Sequence, residues 1–167
     1  MRFSLIDRID ALEPGKQIAA VKSLSMAEEY LADHFPGFPV MPGVLMLEAM
    51  TQASAWLIRV TDDFAHSMVI LKEARNVKYG QFVQPGQTLQ VSARIVEHGE
   101  RQTKVKAQGE LDGQVTLRGQ LILERYNLAE ETPQKATIDA MLIDDLRSQL
   151  ELLCPFEINS QAVEATH

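Results

Sequence analysis

One segment constrains this chain more than any other. Val44 to Val60 reads Val-Leu-Met-Leu-Glu-Ala-Met-Thr-Gln-Ala-Ser-Ala-Trp-Leu-Ile-Arg-Val, apolar nearly all round a helix rather than along one stripe. Such a helix must be covered on most of its sides. With Glu48, Gln52 and Arg59 inside it, it lacks the roughly 18–20 apolar residues that span a bilayer, so protein must supply the cover. Before it stands His34-Phe35-Pro36-Gly37-Phe38-Pro39-Val40-Met41-Pro42-Gly43, with three prolines and two glycines in ten residues. That composition excludes helix and central strand and predicts a rigid loop, with Pro42 suited to a helix start.

Most of the remaining body reads as strand. Phe3 to Ile9 is an edge-type strand or lead-in, and Pro14-Gly15 turns the chain into a strand over Gln17 to Leu24. Ser25 is expected to cap a short helix through Leu31, with Glu28 as reciprocal partner. Met68 to Leu71 leads into Ala74 to Tyr79. Leu89–Val96, Thr103–Leu111 and Val115–Leu123 follow, the last two joined by the hairpin signal Asp112-Gly113. Three long strands joined by tight turns make an antiparallel meander. One greasy helix and a long antiparallel sheet pack best with the sheet wrapped around the helix, an α+β architecture.

A second region begins near Asn127. Residues 129–134 are polar and linker-like. Asp139 to Leu153 places Leu142, Leu146, Leu150 and Leu153 at helical spacing, predicting an amphipathic helix stopped by Pro155. Residues 157–167 are expected to be frayed. The reading is therefore a body over 1–126 and an acidic linker with a helical extension over 127–167.

Charge follows the same division. The net charge is −7, yet residues 1–126 hold 15 acids and 14 bases, whereas residues 127–167 hold 8 acids and 2 bases. A near-neutral body and an acidic tail argue against nucleic-acid binding and against a membrane-surface anchor. The single cysteine, Cys154, makes no internal disulfide and fits a reducing cytoplasm. The N-terminus lacks an apolar stretch behind its positive charge, so no signal peptide is expected.

The residues that look chemical lie between His34 and Gln52. His34-Phe35-Pro36-Gly37, Pro39-Val40-Met41-Pro42-Gly43-Val44-Leu45, Leu47-Glu48-Ala49-Met50 and Gln52 resemble the active-site motif of the β-hydroxyacyl-acyl-carrier-protein dehydratases of type II fatty acid synthesis. The separation of 14 between His34 and Glu48 matches as well. Weaker likeness runs through Lys78-Tyr79 and Val83-Gln84-Pro85-Gly86 into the meander, covering about residues 1–125. The resemblance implies a hot-dog fold and removal of water from a (3R)-hydroxyacyl thioester to give the trans-2-enoyl thioester. It further implies a homodimer in which the histidine of one subunit works with the glutamate of the other, and larger assemblies of three dimers are common. The implied partners are acyl-carrier protein or a coenzyme A thioester, and no cofactor or metal.

The chemistry can also be built from the residues. Dehydration needs a base for the Cα proton, an acid for the departing hydroxyl, and a donor for the thioester oxygen. His34 suits the base because imidazole titrates nearest neutrality. Glu48 suits the acid. Burial on an apolar helix favours its protonated form while the nearby helix N-terminus opposes it, and the sequence leaves that balance open. Gly43 opens the helix, where amides lack internal partners, and the resemblance gives its N–H the oxyanion role. Gln52 lies one turn beyond Glu48 on the same face and can orient the carboxylate or cap a neighbouring loop. A histidine beside a proline-rich loop is by itself more often structural, and a lone glutamate on an apolar helix is more often a paired charge. The motif turns both towards chemistry.

Other features weigh less. Met41, Met46, Met50 and Trp56 are candidates for tunnel or interface lining, with plain core as the simpler reading. His66, His98 and His167 look like loop or tail residues, and Asp62-Asp63 like a solvated turn. Gly80-Gln81 stands where the family often carries arginines that dock the acidic carrier protein, which makes coenzyme A thioesters worth testing. Lys72, Arg75, Lys78, Lys104 and Lys106 are the alternative basic patch. Phe38 replaces the small or polar residue common in the family and would narrow the entrance. Glutamate rather than aspartate at 48 favours a plain dehydratase over a dehydratase/isomerase. The competing readings are a hot-dog thioesterase and a non-catalytic acyl-thioester-binding protein.

Overall fold

The computed structural model describes residues 3–155, so the expected fraying of 157–167 and the placement of His167 lie outside the described residues. Six strands form one sheet: β1 (Arg8–Glu13), β2 (Gln17–Ser23), β3 (Met68–Tyr79), β4 (Thr88–His98), β5 (Gln102–Leu111) and β6 (Gln114–Tyr126). Their spatial order is β1-β2-β4-β5-β6-β3, and every neighbouring pair is antiparallel. The meander read from the sequence is β4-β5-β6. Asp112 and Gly113 take φ of 49° and 76°, the left-handed pair that a tight two-residue hairpin requires.

Helix α1 (Gly43–Thr61) lies in the concave side of the sheet, against β2 to β6. Alternation along the strands turns Leu89, Val91 and Ala93, Val105 and Ala107, and Leu121 and Leu123 inward onto it. From α1 itself, Met46, Met50, Leu57 and Ile58 are fully buried. Each such side chain contributes about 1.5–3 kcal/mol by leaving water. Because Met41, Met46 and Met50 are core, the simpler reading of these methionines holds.

Of the two readings of Phe3 to Ile9, the lead-in holds as far as Asp7 and the strand begins at Arg8: Leu5 and Ile6 are buried without pairing in the sheet, and the Leu5 amide donates to Gln52 Oε1 at 2.8 Å. Two local expectations are corrected. The expected helix from Ser25 is a short 3-10 turn, Glu29–Ala32, with no side-chain cap. Ser25 Oγ accepts from the Ala27 amide, and Glu28 is drawn away to the buried Lys22 ammonium at 2.7 Å. A buried cation needs a carboxylate more than a helix end needs a cap. Secondly, Asp62 is no solvated residue. Its side chain is 14% exposed and meets Arg125 and His98, whereas Asp63 fits the solvated reading at 91%.

Helix α2 (Ala136–Leu153) is docked on the body. The segment leading to it is tied down: the Asn127 side chain and Glu130 form a capping box. Asp139, 6% exposed, accepts from the Ser67 hydroxyl and from the amides of Leu128 and Ala129, both at 2.9 Å. Burial pushes the Asp139 carboxyl up, but these donors outweigh it and hold it below the usual carboxylate range. Farther along, Arg147 donates to the Asp63 carbonyl at 2.8 Å and covers the Phe64 ring at 4.8 Å.

Candidate active site

The proline-rich loop holds its shape through backbone hydrogen bonds. Val40 donates to the His34 carbonyl, Met41 donates to the Val83 carbonyl at 2.9 Å, and Phe38 donates to Phe35. The His34 ring is half-buried and stacked on Phe35 with centroids 4.1 Å apart. Its Nδ1 lies 2.9 Å from the Val40 carbonyl oxygen. A carbonyl only accepts, so Nδ1 carries the proton, and in the neutral ring Nε2 keeps its lone pair.

Pro42 caps α1, and Gly43 is its first residue. Leu45 and Met46 both donate back to the Pro42 carbonyl, whereas the amides of Gly43 and Val44 have no backbone acceptor among the described residues. Two free donors at the positive end of a 19-residue helix form an anion-seeking group. Gly43 has a packing reason as well: a Cβ there would come within 3.0 Å of the Tyr79 ring.

Glu48 and Gln52 meet as the one-turn spacing predicts. Gln52 Nε2 donates to Glu48 Oε1 at 2.9 Å and to the Phe3 carbonyl at 3.0 Å, while Gln52 Oε1 accepts from Leu5. The glutamine therefore clamps the N-terminal segment to α1 and fixes one oxygen of Glu48. Both side chains line a cavity of about 620 Å³ bounded by α1, the start of β3 and α2. His34 does not line that cavity. Trp56 does, in keeping with its place among the candidate lining residues.

Sequence reasoning missed Arg59, which lines the same cavity, lies 5.4 Å from the Trp56 ring, and has a buried Nε without a hydrogen-bond partner. Burial pushes its guanidinium down to about 10, still a cation at neutral pH. Its spacing of 11 from Glu48, three helical turns along one face, was the available signal. The basic patch changes composition. Lys72, Arg75 and Lys104 are paired to Glu124, Glu73 and Glu97. Lys78 and Lys106 remain, and strand register sets Arg118 beside Lys78 and Arg94 beside Lys106 on the outer face. Gly80 is held close to β6: its amide bonds the Thr116 carbonyl at 2.6 Å, and a Cβ would lie 3.2 Å from that oxygen. Phe38 is 47% exposed and meets Phe82 edge-on at 6.0 Å.

A sheet wrapped around one long helix, with a histidine loop leading into that helix, defines a hot-dog protein of the dehydratase type. Residues 1–124 match the family profile of the FabA-like domain, and the chain belongs to that family. It is 35% identical over 119 residues to the 3-hydroxyacyl-[acyl-carrier-protein] dehydratase FabZ of Ruminiclostridium cellulolyticum, covering 71% of this chain and 84% of that protein. The FabZ of Janthinobacterium sp. is 35% identical over 134 residues, covering 77% and 85%. The FabZ of Pediococcus pentosaceus is 40% identical over 92 residues, covering 55% of this chain and 62% of that protein. Among solved structures, the dehydratase heterocomplex ApeI:P from Xenorhabdus doucetiae superimposes with a TM-score of 0.64 at 18% identity, covering 80% of this chain and 90% of that one. The smu.793 protein of Streptococcus mutans, bound to acetyl CoA, gives 0.58 at 14% identity, covering 75% and 93%. Both likenesses are of fold.

Proposed function

We propose that the chain is a 3-hydroxyacyl-[acyl-carrier-protein] dehydratase of fatty acid or related lipid synthesis, a lyase with His34 and Glu48 as its acid/base pair. The observation that carries the reading is the Glu48–Gln52 pair opening onto a cavity large enough for an acyl chain. His34 Nε2 takes the Cα proton, and the electron pair moves towards the thioester oxygen, which the Gly43 amide receives. The pair then returns to form the Cα=Cβ bond as the C–O bond breaks, and Glu48 protonates the leaving hydroxyl to give water. Gln52 holds Glu48 by one oxygen and leaves the other for this transfer.

His34 lies outside the cavity that Glu48 lines in the same chain. This supports a homodimer in which one copy's histidine serves the other's glutamate; the larger assembly of three dimers rests on the resemblance alone. Among the described residues the outer edge of β3 has no neighbour in the sheet, which gives a second copy a strand to pair with. No helix among the described residues is long and apolar enough to cross a membrane. The single cysteine and the kinship with FabZ support a cytoplasmic setting.

The test is hydration of a short trans-2-enoyl thioester, followed by loss of enoyl absorbance, with carrier-protein and coenzyme A substrates in parallel. His34→Ala and Glu48→Gln should each lower kcat by about 10²–10⁴-fold. Near-wild-type rates in both variants would end the assignment. Release of free thiol without hydration would point to a thioesterase instead.

A further inference from the structure

We propose that α2 is a wall of the acyl cavity and sets the length of acyl chain that the site accepts. This rests on the reading of Glu48 as part of the active site, and it concerns residues beyond position 124, where the family match ends.

Two helix stripes face each other across the cavity. On α1 the lining residues are Glu48, Thr51, Gln52, Ala55, Trp56 and Arg59, spaced i, i+3, i+4, i+7, i+8 and i+11. On α2 they are Leu142, Asp145, Leu146 and Gln149, spaced i, i+3, i+4 and i+7. Each set is one continuous helix face. The start of β3 adds Met68 and Ile70 to the lining. The position of α2 is fixed at both flanks, by the buried Asp139 carboxylate and by Arg147 on the α1 C-terminus. A wall so anchored can discriminate by size.

The α1 stripe also gives the cavity a direction and an end. From Glu48 to Arg59 the helix advances roughly 16 Å at 1.5 Å per residue. Staggered C–C bonds of about 1.5 Å advance roughly 1.25 Å each, so the stripe matches about thirteen bonds of an extended chain, or about fourteen carbons. Beyond that length a methyl terminus meets the Arg59 guanidinium and would take water from a cation. Leu142 and Leu146 set the width opposite the apolar middle of the stripe.

Trp56 is the single tryptophan of the chain and lines the cavity, so its emission reports entry of an acyl chain without any turnover. The probes are octanoyl, dodecanoyl and palmitoyl thioether analogues of pantetheine, added to the full chain. Dodecanoyl should bind more tightly than octanoyl, and palmitoyl no more tightly than dodecanoyl. Leu142→Phe and Leu146→Phe should each cut the dodecanoyl-to-octanoyl affinity ratio about tenfold, while Leu146→Ala should improve palmitoyl binding. Met141→Ala, on the 66% exposed side of α2, should change nothing. Affinity ratios that stay constant through all three leucine variants, or a Trp56 emission indifferent to every analogue, would overturn the proposal. But-2-enoyl hydration is measured on the same proteins. If hydration is absent while the Trp56 responses follow the pattern, the dehydratase reading fails and the wall stands. The opposite outcome removes the wall and leaves the enzyme.

Discussion

The two ends of α1 are built on opposite principles. At the N-terminal end the Gly43 and Val44 amides lack backbone acceptors, the Gly43 Cα is bare, and Glu48 has one oxygen engaged by the chain through Gln52. At the C-terminal end Asp62, His98 and Arg125 bind one another. Arg125, buried at 4%, lies with its Nε 3.0 Å from Asp62 Oδ2, although the N–H does not point along that line and the pairing is by charge. Its other nitrogens donate to Thr103 Oγ1 and to the carbonyls of Gly99 and Glu100, closing the β4–β5 turn. The Asp62 carboxylate only accepts, so His98 carries its proton on Nε2, and in the neutral ring Nδ1 accepts from the Thr103 hydroxyl at 2.8 Å. His98 Nε2–H then donates to Asp62 Oδ1 at 2.9 Å, which closes the ring. The chain bends away through Asp63 and Phe64, both at positive φ, with the Phe64 amide on the Arg59 carbonyl at 2.7 Å. One end keeps backbone donors free for a substrate, and the other ties Asp62, His98 and Arg125 to one another while the Arg59 Nε beside them stays unpaired.

The contrast predicts that the two ends fail differently. Glu48→Gln should lose two or more orders of magnitude in kcat, as above, and keep its Tm within about 2 °C, since it replaces one half-buried polar group by another. Arg125→Ala should do the reverse. Stranding the Asp62 carboxylate costs about 3–5 kcal/mol, roughly 10 °C of Tm for a chain of this size, while the folded fraction retains its kcat. Thermal melts and single-point rates on both variants decide it. An Arg125 variant that melts like the parent would erase the comparison.

Gly43 sharpens it on a smaller scale. Gly43→Ala keeps the amide but drives a Cβ to 3.0 Å from the half-exposed Tyr79 ring. The ring can swing outward, so the stability cost stays near about 1 kcal/mol. A ring displaced across the helix start should lower kcat/KM about tenfold, and Tyr79→Ala in the same chain should restore most of it. If the double variant stays as impaired as the single, the glycine is needed for something other than room.

Gln52 joins the two styles, because it serves Glu48 and also ties Leu5 and Phe3 to α1. Gln52→Ala should cost about 1–2 kcal/mol through the unsatisfied Leu5 amide. As a positioning residue it should lower kcat about tenfold with KM little changed. A loss carried wholly by KM, or by folding alone, would reduce it to a strut.

What the sequence made legible follows from locality. The α1 helix, the proline-rich loop, the β4-β5-β6 meander and the Glu48–Gln52 pair are written in neighbouring residues. Asp62, His98 and Arg125 lie 27 to 63 positions apart, and only the fold brings them together. A trace was present: Leu121, Leu123 and Arg125 alternate along β6, which puts an arginine on the inward row. Asp139 left the same kind of trace, three residues before Leu142 on the apolar stripe of α2. A polar residue breaking an apolar row reads in sequence as noise in the pattern, and in the structure it marks a buried partner.

Asp139 gives the smallest and most local prediction. Its carboxyl is held below the usual range, so by linkage it stabilises α2 docking at pH values above the unfolded value of about 3.9. That contribution is lost as pH falls through the lower folded value. The protection of α2 amides, with exchange rates divided by their intrinsic values at each pH, should therefore fall on acidification from pH 6 towards roughly pH 3, ahead of the protection of β5 amides. Asp139→Asn should exchange fast in α2 already at neutral pH and show no such acid step, because nothing at that position remains to be protonated. An acid step of equal size in the variant would assign the anchoring of α2 to other groups.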